Sequence, residues 1–173
     1  LEVKHTLAKM EKKYACYRCP VICGGVMKRA QGEYKYRDGV HKPEYETFGV
    51  FGSGCGNNNL ESIIMLNDIC NAYGIDTISA GATMMFAMEC FNKGLITKKD
   101  TDGIDLSWGN HQGIVAMIEK MVKREGFGDV LADGSRKAAA HIGKGAKDFL
   151  VEVNGQEVAA HNPVVDYRFA TTY

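Results

Sequence analysis

A mainly α fold with small β hairpins is predicted by three features of the sequence. Apolar residues recur at helical spacing over most of residues 60–142, cap-forming residues bracket those stretches, and strand-forming residues gather around Gly-containing turns only in short segments. Residues 1–13 read as a helix in which Leu1, Leu7 and Met10 alternate with charged positions, leading into a loop with three cysteines. The stretch GGVMKRA and then GEYKYRDGVHKPEYETFGVF, rich in Tyr, Val and Phe around Gln31-Gly32 and Asp38-Gly39, predicts a hairpin.

Leu60 to Tyr73 places Leu60, Ile63, Ile64, Leu66, Ile69, Cys70 and Tyr73 near helical spacing, and Gly74 suits the stop. Asp76 or Thr77 can cap a second helix, nearly apolar and therefore buried, running through Ile78, Ala82, Met85, Phe86 and Met88 to Gly94. Asn110 can start a third, with Ile114, Met117, Ile118, Met121 and Val122 on one side and an end at Arg124 and Gly126. A fourth is expected over Gly128 to Ile142, closed by Gly143, after which FLVEVNGQEVAAH reads as two short strands around Asn154-Gly155. Residues 1–148 are thus expected to form a mostly helical domain, and residues 149–173 the start of a further domain or its linking strands.

With 173 residues the chain can bury a real core. Its 21 basic and 21 acidic side chains cancel, which removes the long-range field that would draw nucleic acid or an anionic membrane. No apolar run approaches the ~20 residues needed to span a bilayer, and no secretory leader is visible. The expectation is a soluble, cytoplasmic protein. The start at Leu1 without an initiator Met, and the end at Tyr173 shortly after a Pro-containing loop, are those expected of a piece of a longer chain.

Cys16, Cys19 and Cys23 lie too close together for a disulfide framework and point to a metal. Cys55, Cys70 and Cys90, in otherwise apolar segments, suit a reduced interior. The spacing C-x2-C-x3-C puts three thiolates on one short loop, with Pro20 and Gly24-Gly25 keeping the backbone turned and unobstructed. Thiolates are the soft ligands that iron-sulfur clusters require. Structural zinc would want a further Cys or His, commonly as a second pair, and none follows; a non-enzymatic zinc-binding helical module is the alternative of another class. A 4Fe-4S cluster needs a fourth cysteine, for which Cys55 in GSGCGNNN and a segment outside this chain are both open.

CYRCPVICGG, KPEYETFGVFGSGC, NAYGIDTISAGATMMFAMECFNKGLI, GFGDVLADGSRKAA and VNGQEVAAHNP together resemble, in this order and over nearly the whole chain, the aldehyde ferredoxin oxidoreductase family. The resemblance implies a large enzyme with a tungsten bis-pterin cofactor (tungstopterin) and a nearby 4Fe-4S cluster. It implies an N-terminal β domain and two mostly helical domains, of which this chain matches the helical part. Cys16, Cys19 and Cys23 then match the first three cluster ligands, with the fourth beyond Tyr173, which demotes Cys55.

The family's D-x-x-G-L-D-like pterin segment is matched by Asn71, Gly74, Ile75 and Asp76. Asn71 in place of the first Asp keeps a carbonyl acceptor and adds an amide donor. The same stretch reads independently as a helix C-cap glycine followed by an N-cap aspartate, and the two readings are compatible.

As catalytic residues the resemblance implies Glu46, in PEYET, and His161, shortly before a Pro. Taken alone, each is an ordinary loop residue. Glu44 would share a face with Glu46 on a strand, which leaves the choice between them open. His111 is expected at a helix start. The implied reaction converts an aldehyde to a carboxylic acid and passes electrons to ferredoxin or a similar electron carrier. The nearest rival is the tungsten subunit of a class II benzoyl-CoA reductase, acting on an aromatic acyl substrate, which KPEYETFGVFGS and Trp108 to His111 fit as readily. A homodimer or further redox subunits belong to the same resemblance, and tungsten rather than molybdenum rests on it alone.

Overall fold

The computed structural model describes residues 3–161. Leu1 and residues 162–173 of the expected C-terminal segment lie outside the described residues. The chain is mostly helical with two small antiparallel hairpins, as its sequence predicts.

The first helix is shorter than expected. Helix α1 (Val3–Ala8) stops where Lys9 N–H donates to Thr6 O at 3.2 Å, and strand β1 (Met10–Tyr14) follows. β1 pairs antiparallel with β2 (Gly24–Met27), Met10 opposite Met27 and Tyr14 opposite Gly24, with an irregularity between Met10 and Lys12. Backbone pairing with a distant strand thus overrides the helical pattern of residues 1–13, because it gives residues 10–14 partners for their amides on both sides of the cysteine loop. The hairpin expected around Gln31-Gly32 and Asp38-Gly39 is reduced to a returning loop. It meets β2 at a single bridge, Val26 to His41, flanked by Met27 N to Val40 O at 2.9 Å and Lys42 N to Gly25 O at 2.7 Å.

The segment PEYETFGVF, expected as strand, is helical. Helix α2 (Tyr45–Phe48) runs directly into a π-helical segment (Gly49–Gly54) whose Val50, Phe51 and Gly52 are buried. Local β propensity loses here to burial against the next large helix. That approach is close: a Cβ on Gly81 would lie 2.4 Å from Val50 Cγ2 and 2.5 Å from Val50 Cβ, so glycine is what fits against the Val50 side chain.

Helix α3 (Leu60–Tyr73) begins where the Asn59 side chain accepts from Ser62 N–H at 3.0 Å, and ends at Gly74 with φ 69°. Helix α4 (Thr77–Asn92) is capped by Asp76, which accepts from Ser79 N–H at 2.7 Å. Helix α5 (His111–Lys123) is capped by Asn110 and closes at Arg124 in the left-handed region. The fourth expected helix is two, α6 (Phe127–Leu131) and α7 (Ser135–Ile142), separated at Gly134 with φ 91°, a value that ends a right-handed helix. A 3-10 turn (Ala146–Phe149) leads to β3 (Glu152–Val153) and β4 (Gln156–Glu157), paired around Asn154-Gly155 as expected.

α4 is the centre of the core. Met84, Ala87, Met88 and Cys90 have no exposed surface and belong to one buried cluster with Ile63 and Leu66 of α3 and Ile114 and Met117 of α5. Each large apolar side chain buried this way contributes about 1.5–3 kcal/mol. A smaller cluster of Met27, Tyr36, Val40, Leu60 and Ile64 ties β2 and the returning loop to α3. Buried Asp68 fastens the same loop by accepting from Arg37 N–H at 2.9 Å and its guanidinium at 2.6 and 2.8 Å. Buried Glu157 accepts from Ser135 N–H at 2.7 Å, Ser135 Oγ at 2.8 Å and Thr83 Oγ1 at 3.2 Å, joining β4 to α7 and α4. Among the described residues no helix is long and apolar enough to cross a membrane.

Candidate metal and catalytic site

The cysteine loop is the connection between β1 and β2, so its two ends are fixed by strand pairing. Inside it, Cys19 N–H donates to Cys16 O at 3.0 Å, and Arg18 and Ile22, the residues before Cys19 and Cys23, adopt positive φ of 56° and 52°. Non-glycine residues held there cost about 1–3 kcal/mol each and gather at functional sites. All three thiols are free; Cys16 and Cys23 are exposed and Cys19 partly so. Among the described residues no three His, Cys, Asp or Glu side chains converge as a single bound ion requires. Three soft thiolates on one loop are a donor set that fits a cluster, which offers each thiolate a separate iron. Tyr14, at the end of β1, has its phenol pushed above the ordinary range by burial, then by the neighbouring Glu44 carboxylate and the Cys16 and Cys23 thiols. Its hydroxyl lies 3.2 Å from His41 Nδ1.

The other three cysteines behave as core. Burial pushes the Cys55 and Cys70 thiols up to about 12 and Cys90 to about 11, so they stay protonated at neutral pH and are poor ligands and nucleophiles. A thiol reagent applied to metal-free protein at pH 8 should modify Cys16, Cys19 and Cys23 first, with Cys55, Cys70 and Cys90 reacting only on unfolding. Peptide mapping after timed labelling checks this, and equal rates at all six sites would contradict it.

Glu46 and His161 are brought together. The Glu46 side chain, 21% exposed, accepts from Ala160 N–H through Oε2 at 2.7 Å. Its Oε1 is closed off from solvent and faces His161 Nε2 at 2.9 Å, a contact that is an ion pair only when the imidazole is protonated. The Tyr45 hydroxyl donates to Ala160 O at 3.4 Å, and its ring centroid lies 5.6 Å from that of His161. Glu44 precedes α2, is 59% exposed and pairs with Lys42 at 3.4 Å. On the expected strand the two glutamates would share a face, but helical rotation turns them apart. His111 stands at the start of α5, as expected, where its Nδ1 hydrogen-bonds the Tyr34 hydroxyl.

A cavity of about 1150 Å³ lies beside these parts, with Cys16, Cys19, Glu46 and His161 not on its walls. Lys13, Cys23, Phe48, Gly52, Met85 and Ala160 are on its walls, so it extends from the cysteine loop across α2 to the segment that carries His161. Sequence reasoning missed the π-helical wall and Lys13; the density of glycine in GVFGSGCGNNN was the available signal for the former.

Asn71, Gly74, Ile75 and Asp76 form the joint between α3 and α4. Ile75 N–H donates to Cys70 O at 2.9 Å, Gly74 supplies the left-handed turn and Asp76 caps α4. The joint abuts α2 through Thr77 Oγ1, 3.0 Å from Thr47 Oγ1. None of these four residues lines the large cavity; Asn71 borders a separate hollow of about 290 Å³ with Arg37, His41 and Asp68. Asp76→Ala should cost about 1 kcal/mol by loss of the cap, and Asp76→Ser should restore most of it. Thermal unfolding checks the cap; a Ser variant that is stable yet poor in cofactor would show a second role.

Residues 2–173 match the family described as aldehyde ferredoxin oxidoreductase, domains 2 and 3. The tungsten-containing aldehyde ferredoxin oxidoreductase of Pyrococcus furiosus is 39% identical over 150 residues, covering 86% of this chain. The protein of the same name from Thermococcus kodakarensis is 38% identical over 150 residues, again 86% of this chain. The aliphatic sulfonate oxidoreductase, WOR-like subunit, of Pyrococcus furiosus is 32% identical over 156 residues, 88% of this chain. Among solved structures, the active site complex BamBC of benzoyl coenzyme A reductase with 1,5-dienoyl-CoA superposes with a TM-score of 0.75 at 27% identity, covering 93% of this chain and 24% of that one. The chain spans 24% of the length of the first two relatives and 25% of the third. The chain belongs to the aldehyde ferredoxin oxidoreductase family.

Proposed function

We propose that this chain supplies the cluster-binding loop and the acid–base pair of a tungsten-pterin oxidoreductase that converts aldehydes to carboxylic acids and passes electrons to ferredoxin or a similar carrier. The observation that carries the reading is one cavity with Cys23 on one wall and Ala160 on another, where the Ala160 amide is held by Glu46 and Glu46 stands 2.9 Å from His161, neither of the pair itself lining the cavity. Cys16, Cys19 and Cys23 would hold three corners of a 4Fe-4S cluster, the fourth ligand coming from the rest of a longer protein. When bound, tungstopterin and the cluster supply a two-electron acceptor and a one-electron outlet.

The chain's own residues manage protons. An aldehyde and water give a carboxylic acid, two electrons and two protons. Glu46, largely enclosed, serves as the base, its orientation fixed by the Ala160 amide. His161, 46% exposed, takes the proton from Glu46 Oε1 and releases it to solvent. A second reading, reduction of an aromatic acyl-CoA, is suggested by the likeness to the benzoyl coenzyme A reductase complex; it uses the same pair in the opposite direction, as proton donors.

The test is metal analysis with a visible spectrum on the complete protein purified without oxygen, followed by assays with aldehydes and with aromatic acyl-CoA. Tungsten with about four irons, the complement of one cubic cluster, and turnover of aldehydes are expected. Turnover of acyl-CoA alone would transfer the reading to the second reaction, and colourless protein holding only zinc would leave a structural module.

A further inference from the structure

We infer that Gly49 is a positioning residue: its missing side chain admits the Ala160 methyl and thereby sets the distance between Glu46 and His161. The inference rests on the acid–base role proposed above for that pair.

Tyr45, Glu46 and Gly49 lie within one turn at the end of α2, and all three meet the strap of residues 159–161. Tyr45 holds the Ala160 carbonyl, Glu46 holds the Ala160 amide and faces His161, and Gly49 lies under the Ala160 side chain. A Cβ built on Gly49 would lie 2.6 Å from Ala160 Cβ, and among the described residues outside its own helix and chain neighbours no other atom is within 4 Å of it. The atom it meets is fixed to backbone and cannot swing aside as the end of a long side chain would. Ordinary contact begins at 3.4 Å, so the strap would have to withdraw by about 1 Å, the scale at which misplacement becomes costly to catalysis.

Such a withdrawal would stretch the Glu46 contacts of 2.7 and 2.9 Å beyond the range in which a proton moves between positioned groups. Backbone preference does not explain the glycine. Gly49 has φ −59° and ψ −55°, ordinary right-handed values at which alanine is favoured over glycine. Space at this one contact is what selects it.

The test uses the complete, metal-loaded enzyme with Gly49→Ala, the double variant Gly49→Ala with Ala160→Gly, and Glu46→Gln. Gly49→Ala should lower kcat about 100-fold, leave KM and metal content in place, and raise the solvent deuterium isotope effect on kcat as proton transfer across the longer gap becomes limiting. The double variant, which removes the opposing methyl, should recover most of the loss and the original isotope effect. An unchanged kcat in Gly49→Ala, loss of its tungsten or iron, or a double variant as impaired as the single would each overturn the inference. An unimpaired Glu46→Gln would overturn the underlying acid–base reading instead, whatever Gly49→Ala does.

Discussion

Replacing Glu46 by Gln in the complete enzyme should lower kcat by about 10²–10⁴-fold, the usual contribution of a positioned acid or base, while tungsten and iron remain bound. Gln keeps the size of the side chain and a carbonyl that can still accept from Ala160 N–H, so the strap should stay docked. What is lost is the group able to take a proton beside His161. Glu44→Gln provides the contrast, because that carboxylate points towards Lys42 and solvent. A change within about threefold is expected there, the scale of surface substitutions. Steady-state kinetics on the two variants decides the matter, and equal losses at both positions would remove Glu46 from the chemistry.

Cys19→Ser should strip the cluster from the holoenzyme. A serine oxygen is a hard donor and a poor substitute for thiolate on iron, and Cys19 sits between the other two cysteines on a loop whose backbone is already wound through positive φ on either side. The expected result is loss of about four irons, loss of the brown colour and electron transfer to the carrier reduced to background. Cys55→Ser should behave differently. That thiol is fully buried in the core and held protonated, so iron should stay, and the cost should be about 1–3 kcal/mol of stability from burying a hydroxyl. Iron retained in the Cys19 variant and lost in the Cys55 variant would reverse the assignment of ligands.

Where local chemistry decides the structure, the sequence was readable. Gly74, Asp76 and Asn110 announce the ends of α3, α4 and α5 because caps are made by neighbours within three or four residues. The nearly apolar α4 was legible as the core helix for the same reason, since burial on all sides leaves no polar stripe. Long-range partners were not legible. Residues 10–14 pair with a strand on the far side of the cysteine loop, and Tyr45–Gly54 is helical because it packs on α4, against its own β propensity. The break at Gly134 sits in a window that otherwise keeps helical spacing, so only the backbone angle reveals it.

The site divides in the same way. Three thiols on one short loop declare themselves. Glu46 and His161 are ordinary residues until the fold sets them 2.9 Å apart, and only the family resemblance joined them beforehand. The choice between Glu44 and Glu46 turned on reading strand or helix, which rotates one glutamate away from the other.

The contact from Glu46 to the Ala160 amide spans 114 positions of sequence. Closing so long a loop is entropically costly, and contacts of that kind form after local ones. During synthesis α2 leaves the ribosome well before residues 159–161 exist, and for that interval Glu46 is an ordinary carboxylate in water. The pairing of Glu46 with the strap is therefore expected as one of the last acts of folding, once α3 to α7 have assembled between its two halves. Mutations that slow or weaken docking of the strap should register first as missing chemistry in a protein that is otherwise folded, well before they register as lost solubility.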